Sequence, residues 1–198
     1  MSETSRSAGR RRPARERLLE AAARRFYADG VAATGIDTIT AEAGVAKMSL
    51  YNNFSSKADL VRAYLDARHE EWLELYRARL EQADGSREGV LAVFDAYADH
   101  AAFAYEHGFR GCGLLNAAAE LPADDEGRAV VRAHKEEVER LIAGHLEQML
   151  PGRAEEARAA AEHLAFLLEG AMARAGLEGD GERVTHARSM AAALLDRL

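Results

Sequence analysis

Residues 36–57 read IDTITAEAGVAKMSLYNNFSSK. A first short periodic segment runs from Ile36 to Ala43 and stops at Gly44-Val45; a second runs from about Lys47 to Asn53. Two short helices joined by a glycine-containing turn are the geometry in which the second helix can enter the major groove of DNA. Ile39, Ala43, Leu50 and Phe54 fall on the inward side, facing Phe26 and Leu60, and Val45 fills the angle between the helices. Lys47, Met48, Ser49, Asn52 and Asn53 fall outward, a mixed set able to meet bases and phosphates. Tyr51 adds a hydroxyl for a phosphate oxygen. Lys57 opens the next helix, where helix dipole and side-chain charge both attract phosphate. The spacing by itself is shared with a plain helical hairpin.

Working outward, Pro13 is well placed at a helix start, and Leu18, Ala22 and Phe26 recur at helical spacing until Asp29-Gly30. Thr34 followed by Asp37 predicts a capping box for the first short helix. Ser55-Ser56 predicts the start of a long helix over about 57–82. Further helices are expected at about 87–106, 114–121, 124–150, 153–175 and 182–198, broken at Ala83–Ser86, the 108–113 glycines, Pro122, Pro151-Gly152 and Gly176–Gly181. The expectation is an all-α chain of about nine helices: a basic arm over 1–12, a three-helix DNA-binding head over 13–58, and a helical body over 59–198.

The charge distribution agrees with that division. Net charge is −7, yet residues 1–60 hold ten Lys/Arg against seven Asp/Glu, leaving sixteen against twenty-six in the remainder. A basic head on an acidic body places any polyanion at the head, with Arg11 and Arg12 of the arm as candidate contacts. The single cysteine, Cys112, cannot form an internal disulfide, and no segment resembles a secretory signal or membrane span, so a cytoplasmic protein is expected. There is no phosphate loop, nucleophile elbow, metal-binding His/Glu pair or cysteine cluster, and neither catalysis nor a cofactor is expected; the competing class is a small cysteine-dependent enzyme, with the lone cysteine as nucleophile and a histidine elsewhere as base. The other DNA-binding class, a sequence-independent coating protein, would show steep salt dependence and no site preference.

The segment AGVAKMSLYNNFSSKADLV, with Phe26-Tyr27-Ala28-Asp29-Gly30 before it, resembles the TetR family signature: a Gly-Val turn, a recognition helix ending in Leu-Tyr, then an aromatic residue and Ser-Lys. The motif covers about the first sixty residues; beyond them, length and helix number agree. The resemblance implies a dimeric ligand-responsive repressor on a palindromic operator. It implies that Lys47, Met48 and Ser49 approach base edges, that Tyr51, Asn53 and Lys57 grip phosphates, and that Thr34 and Thr38 lie near the DNA backbone. Three positions depart from the family pattern. Asn53 stands where histidine is frequent, Thr40 occupies a position usually held by alanine, and Ala46 replaces a capping serine, a change worth about 1 kcal/mol of helix stability.

In the body, the resemblance implies a small-molecule site and a homodimer through the last two helices. Ala157, Ala161, Leu164, Leu168 and Ala171, with Val184, Ala187, Met190, Ala191 and Leu194, are the apolar positions expected to form that interface. Trp72, Tyr76, Phe94, Tyr97, Phe109 and Phe166 are candidate pocket aromatics, with Asn116 and His134 as polar contacts. His134 and His145 are about three turns apart, too far to share a metal. Cys112, in the glycine-rich GFRGCGLLN segment beside Arg110 and His107, is either a small buried residue or a redox- or electrophile-sensing thiol.

Overall fold

The computed structural model describes residues 13–103 and 106–198; the expectations for the 1–12 arm, Arg11 and Arg12 included, lie outside them. The described residues form nine α-helices and no strand: α1 (Ala14–Asp29), α2 (Ile36–Ala43), α3 (Lys47–Tyr51), α4 (Lys57–Leu80), α5 (Ser86–Ala101), α6 (Gly113–Ala119), α7 (Glu126–Met149), α8 (Ala154–Glu178) and α9 (Glu182–Leu195). None is long and apolar enough to cross a membrane.

Helices α1–α3 form the head. A five-residue helix such as α3 has no independent stability. Fully buried Leu50 anchors it, in one core with Leu18, Ala22, Phe26, Ile39 and Phe54. Gly44 ends α2 in the left-handed region, at φ +62°, and its N–H returns to the α2 carbonyls. Arg17 completes that turn by donating to the Ala43 and Gly44 carbonyls at 2.8 and 3.1 Å, and Arg15 lies over the Phe54 ring. Both arginines therefore serve the head's own packing. As Ala46 implies, α3 has no side-chain cap. Ser56 caps α4 by accepting from the Asp59 N–H, as the sequence predicts.

The expected cap at Thr34 is not formed. Gly35 precedes α2, and the Thr34 hydroxyl turns inward to donate to the Gly30 carbonyl at 2.6 Å. Thr40 is also buried; its hydroxyl donates to Asp37 O within α2. α4 continues from the head into the body, where Phe26 of α1 meets Tyr64 of α4 edge to face.

In the body α7 packs on α8, α5 on α4, α7 and α9, and α9 on α8. Two differences from the sequence reading matter. Gly176 does not end α8, which continues to Glu178 and stops at Gly179, at φ +86°. A side chain at 176 would meet the Arg110–Gly111 backbone at 2.7 Å, so the glycine permits close approach inside a helix. Second, Ala157, Ala161, Leu164, Leu168, Ala171, Val184, Ala187 and Ala191 are buried within their own subunit. The opposite face of α8 stays open: Ala159, His163, Phe166, Gly170, Ala173 and Leu177 are exposed at alternating spacings of four and three. Phe166 is 66% and Leu177 83% exposed, and Met190 of α9 is exposed with them.

Candidate nucleic-acid interface and internal cavity

The outward side of α3 is a compact polar surface with one apolar tip. Met48 is 71% exposed, Tyr51, Lys47 and Asn52 are exposed, and Ser49 and Asn53 are half-buried. Lys47 reaches back to Asp37 of α2 at 2.8 Å, which neutralises its charge unless a competing anion arrives. Asn53 donates one amide hydrogen to the Ser49 carbonyl, which holds the side chain along the helix end with the second hydrogen still available. Half-buried Lys57 lies at the start of α4 with its Nζ 3.5 Å from the Ala32 carbonyl. Thr38 is exposed on α2, whereas Thr34 lies inside and reaches no surface. Lys47, Met48, Ser49, Tyr51 and Asn52 thus share one face of a five-residue helix and the residue that follows it.

Beneath the head lies a cavity of about 630 Å³. Tyr27, Ala23 and Glu20 of α1 form one wall; Arg68, Glu71 and Trp72 of α4, Tyr97 and His100 of α5, and His134 of α7 form others; Cys112, Gly113 and Leu114 close it. Of the candidate pocket residues, Trp72, Tyr97, Cys112 and His134 meet here. Tyr76 stands one layer behind, stacked on Trp72 with its hydroxyl 2.7 Å from His145. Phe94 and Phe109 belong to the core. Asn116 donates to the Arg110 carbonyl, and Phe166 is on the open face of α8.

A chain of side chains crosses the wall. Lys135 Nζ lies 3.4 Å from Tyr97 Oη, Tyr97 Oη lies 3.2 Å from His134 Nε2, and His134 Nδ1 lies 2.7 Å from His69 Nδ1. His69 Nε2 faces Glu137 at 3.3 Å. With His134 neutral, one direction fits: Lys135 donates to Tyr97, Tyr97 to His134, and His134 to His69 Nδ1. Burial and the nearby Lys135 ammonium push His134 down to about 2, so it stays neutral. Lys135 itself is held well above the ordinary lysine value, despite its burial, by Cys112, Tyr97 and an ion pair with Glu169 at 2.7 Å. Its Nζ lies 3.5 Å from Cys112 Sγ.

The cavity closure is bound directly to the head. The Arg110 N–H donates to Tyr27 Oη at 2.6 Å, Tyr27 Oη donates to the Gly111 carbonyl, and the Arg110 guanidinium donates to the Tyr27 and Ala28 carbonyls ending α1. Burial pushes the Tyr27 hydroxyl up to about 12, so it remains a donor. Glu120, at the end of α6, accepts from the Val31 and Ala32 N–H groups just beyond α1. Among the described residues no group of three His, Cys, Asp or Glu could hold a metal ion.

Residues 18–64 match the family model for bacterial regulatory proteins of the tetR family. A solved TetR-family transcriptional regulator from Streptomyces coelicolor, SCO4454, is 38% identical, with 93% of this chain and 94% of that chain covered and a TM-score of 0.80. The chain belongs to the TetR family. As a TetR-family regulator it also resembles two curated proteins of Pseudomonas putida. One is the probable HTH-type transcriptional regulator ArpR, 40% identical over 86 residues, which are 41% of each chain. The other is the HTH-type transcriptional regulator TtgR, 45% identical over 64 residues, 32% of this chain and 30% of that one. The chain thus spans less than half the length of the curated relatives it matches.

For this TetR-family chain, sequence reasoning found the aromatic walls of the cavity but missed Arg68, Glu71, His100 and the α1 wall. Arg68 and Glu71 flank Trp72 on one turn of α4, a charged pair beside a large aromatic, which is the signal that was available. Nothing local marks Tyr27 or Ala23 as cavity residues.

Proposed function

We propose that this TetR-family regulator is an effector-responsive dimeric repressor of a palindromic operator. The observation that carries the reading is that α1, the first helix of the DNA-binding head, is a wall of the internal cavity. A molecule entering the cavity touches the head directly, so its binding energy can differ between head positions; that difference is what moves an equilibrium. Two recognition helices would sit in successive major grooves about 34–36 Å apart. Effector binding would favour another separation. Lys47, Met48 and Ser49 would read base edges; Tyr51, Asn53 and Lys57 would hold phosphates, with Thr38 nearby. The open stripe on α8, joined by Met190 of α9, supports a dimer through the last two helices by the outer face.

The test is selection of genomic fragments by the purified protein at physiological salt. Enrichment of one short palindrome is the expected result; uniform recovery with a steep salt slope would sink the operator reading. On the same operator, Phe166→Asp is expected to give a monomer by sedimentation and to abolish tight binding.

A second reading has its own observation: the cavity thiol Cys112 lies 3.5 Å from the Lys135 ammonium. The effector would then be an oxidant or electrophile acting at that sulfur. Cys112→Ser is expected to abolish the response to such agents; a full response in that variant would eliminate this reading.

A further inference from the structure

The charged groups around the cavity are already matched within the protein. Arg68 Nη1 lies 2.7 Å from Glu71 Oε2, and His100 Nε2 lies 3.5 Å from the same oxygen. At the mouth Arg24 pairs with Glu42 at 2.6 Å and Glu106 with Arg25 at 3.3 Å, and Glu20 is also engaged. His134 is neutral. A charged occupant would leave water without a free counter-ion to meet it, or would have to break one of these pairs. Among the cavity's buried polar atoms, the indole Nε1–H of Trp72, a residue only 2% exposed, and the Nε–H of Arg68 have no acceptor in the protein, while Glu71 Oε2 is held by its ion pairs alone, without a hydrogen bond. Buried donors left unpaired are costly and favour any occupant that supplies an acceptor. Trp72, Tyr97 and Phe103 supply aromatic surface around them.

Resting on the reading of the cavity as the effector site, we propose that it takes uncharged, flat aromatic molecules that present a hydrogen-bond acceptor such as a carbonyl oxygen, and rejects their ionised counterparts. The size agrees, since pockets of about 300–1,000 Å³ hold small organic ligands. The apolar body of such a molecule packs on the aromatic walls while its acceptor meets the unpaired N–H groups.

Four probes on one scaffold test this: 2-acetonaphthone, naphthalene, 2-naphthoate and 2-naphthylmethylammonium. Calorimetry gives the affinities. Trp72, the chain's one tryptophan, reports occupancy through its emission. The ketone is expected to bind about tenfold or more tighter than either ion, and about fivefold tighter than naphthalene. Trp72→Phe should narrow the ratio of ketone to naphthalene. Arg68→Met leaves Glu71 without its closest cation and should admit the ammonium probe. An ion that binds wild-type protein as tightly as the ketone, with Trp72 emission changed, overturns the proposal and leaves the effector reading standing. So does an Arg68→Met variant that still refuses the ammonium. If none of the four perturbs Trp72, the proposal falls, and the effector reading is left to the operator-release assay.

Discussion

The exposed α3 surface of the head and the wall of the cavity are built in opposite ways. The surface comes from six residues of one run, Lys47 to Asn53, held by the seventh, Leu50, buried beneath them. The wall gathers residues as distant as Glu20 and His134, in short runs from several helices. A contiguous surface varies one side chain at a time with little effect on its support, whereas a wall shared among helices changes with any of them. The 110–112 segment joins the two: Tyr27 holds it from the head, Gly176 of α8 presses on it, and its last residue, Cys112, lines the cavity.

The contrast is open to attack in order of effect. Leu50→Ala removes the anchor of α3 and is expected to cost about 3 kcal/mol in urea unfolding. Operator binding should be lost while naphthalene-probe binding at the cavity persists. Loss of both would mean that the two regions are not separable.

Gly176→Ala should cost about 2 kcal/mol, because the new methyl meets Arg110–Gly111 backbone that cannot rotate away. Thermal unfolding measures the loss, and effector release of DNA should change more than operator affinity.

Tyr27→Phe deletes the hydroxyl that joins α1 to both Arg110 and Gly111, at about 1 kcal/mol in urea unfolding. In a fluorescence-anisotropy assay the variant should still bind operator and effector, with coupling between them weakened. Unchanged coupling would move the link to Glu120.

A further effect is expected in pH dependence. His134 is depressed from 6.5 to about 2 in the folded protein, so below pH 6.5 the unfolded chain takes up a proton that the folded one refuses. Stability therefore falls as pH drops through that window, and His145, also lowered by burial, acts in the same direction. Between pH 6.5 and about 5, above the carboxylate range, His134→Gln should give a shallower decline. An unchanged slope would show that His134 does not dominate it.

Much of the head was legible because its signals are local. Gly44 must turn, Leu50 and Phe54 must hide, and Ser56 caps the helix that follows. Thr34 misled because a capping serine or threonine and a threonine folded inward onto Gly30 look identical in sequence. In the body, period alone put the small residues of α8 on a contact face without saying whose contact. Ala161 and Leu168 are buried within their own subunit, while Phe166 and Leu177 stay open.

The helical architecture, the turn at Gly44-Val45 and the identity of the exposed α3 residues follow from local sequence alone. These depend on backbone preference and on burial within a few turns. The tertiary structure alone decided that α1 walls the cavity, that Arg68 and Glu71 neutralise one another inside it, that His69 completes the His134 chain, and that Gly176 continues a helix. Each depends on which distant helix arrives alongside, and that is settled by packing over the whole core.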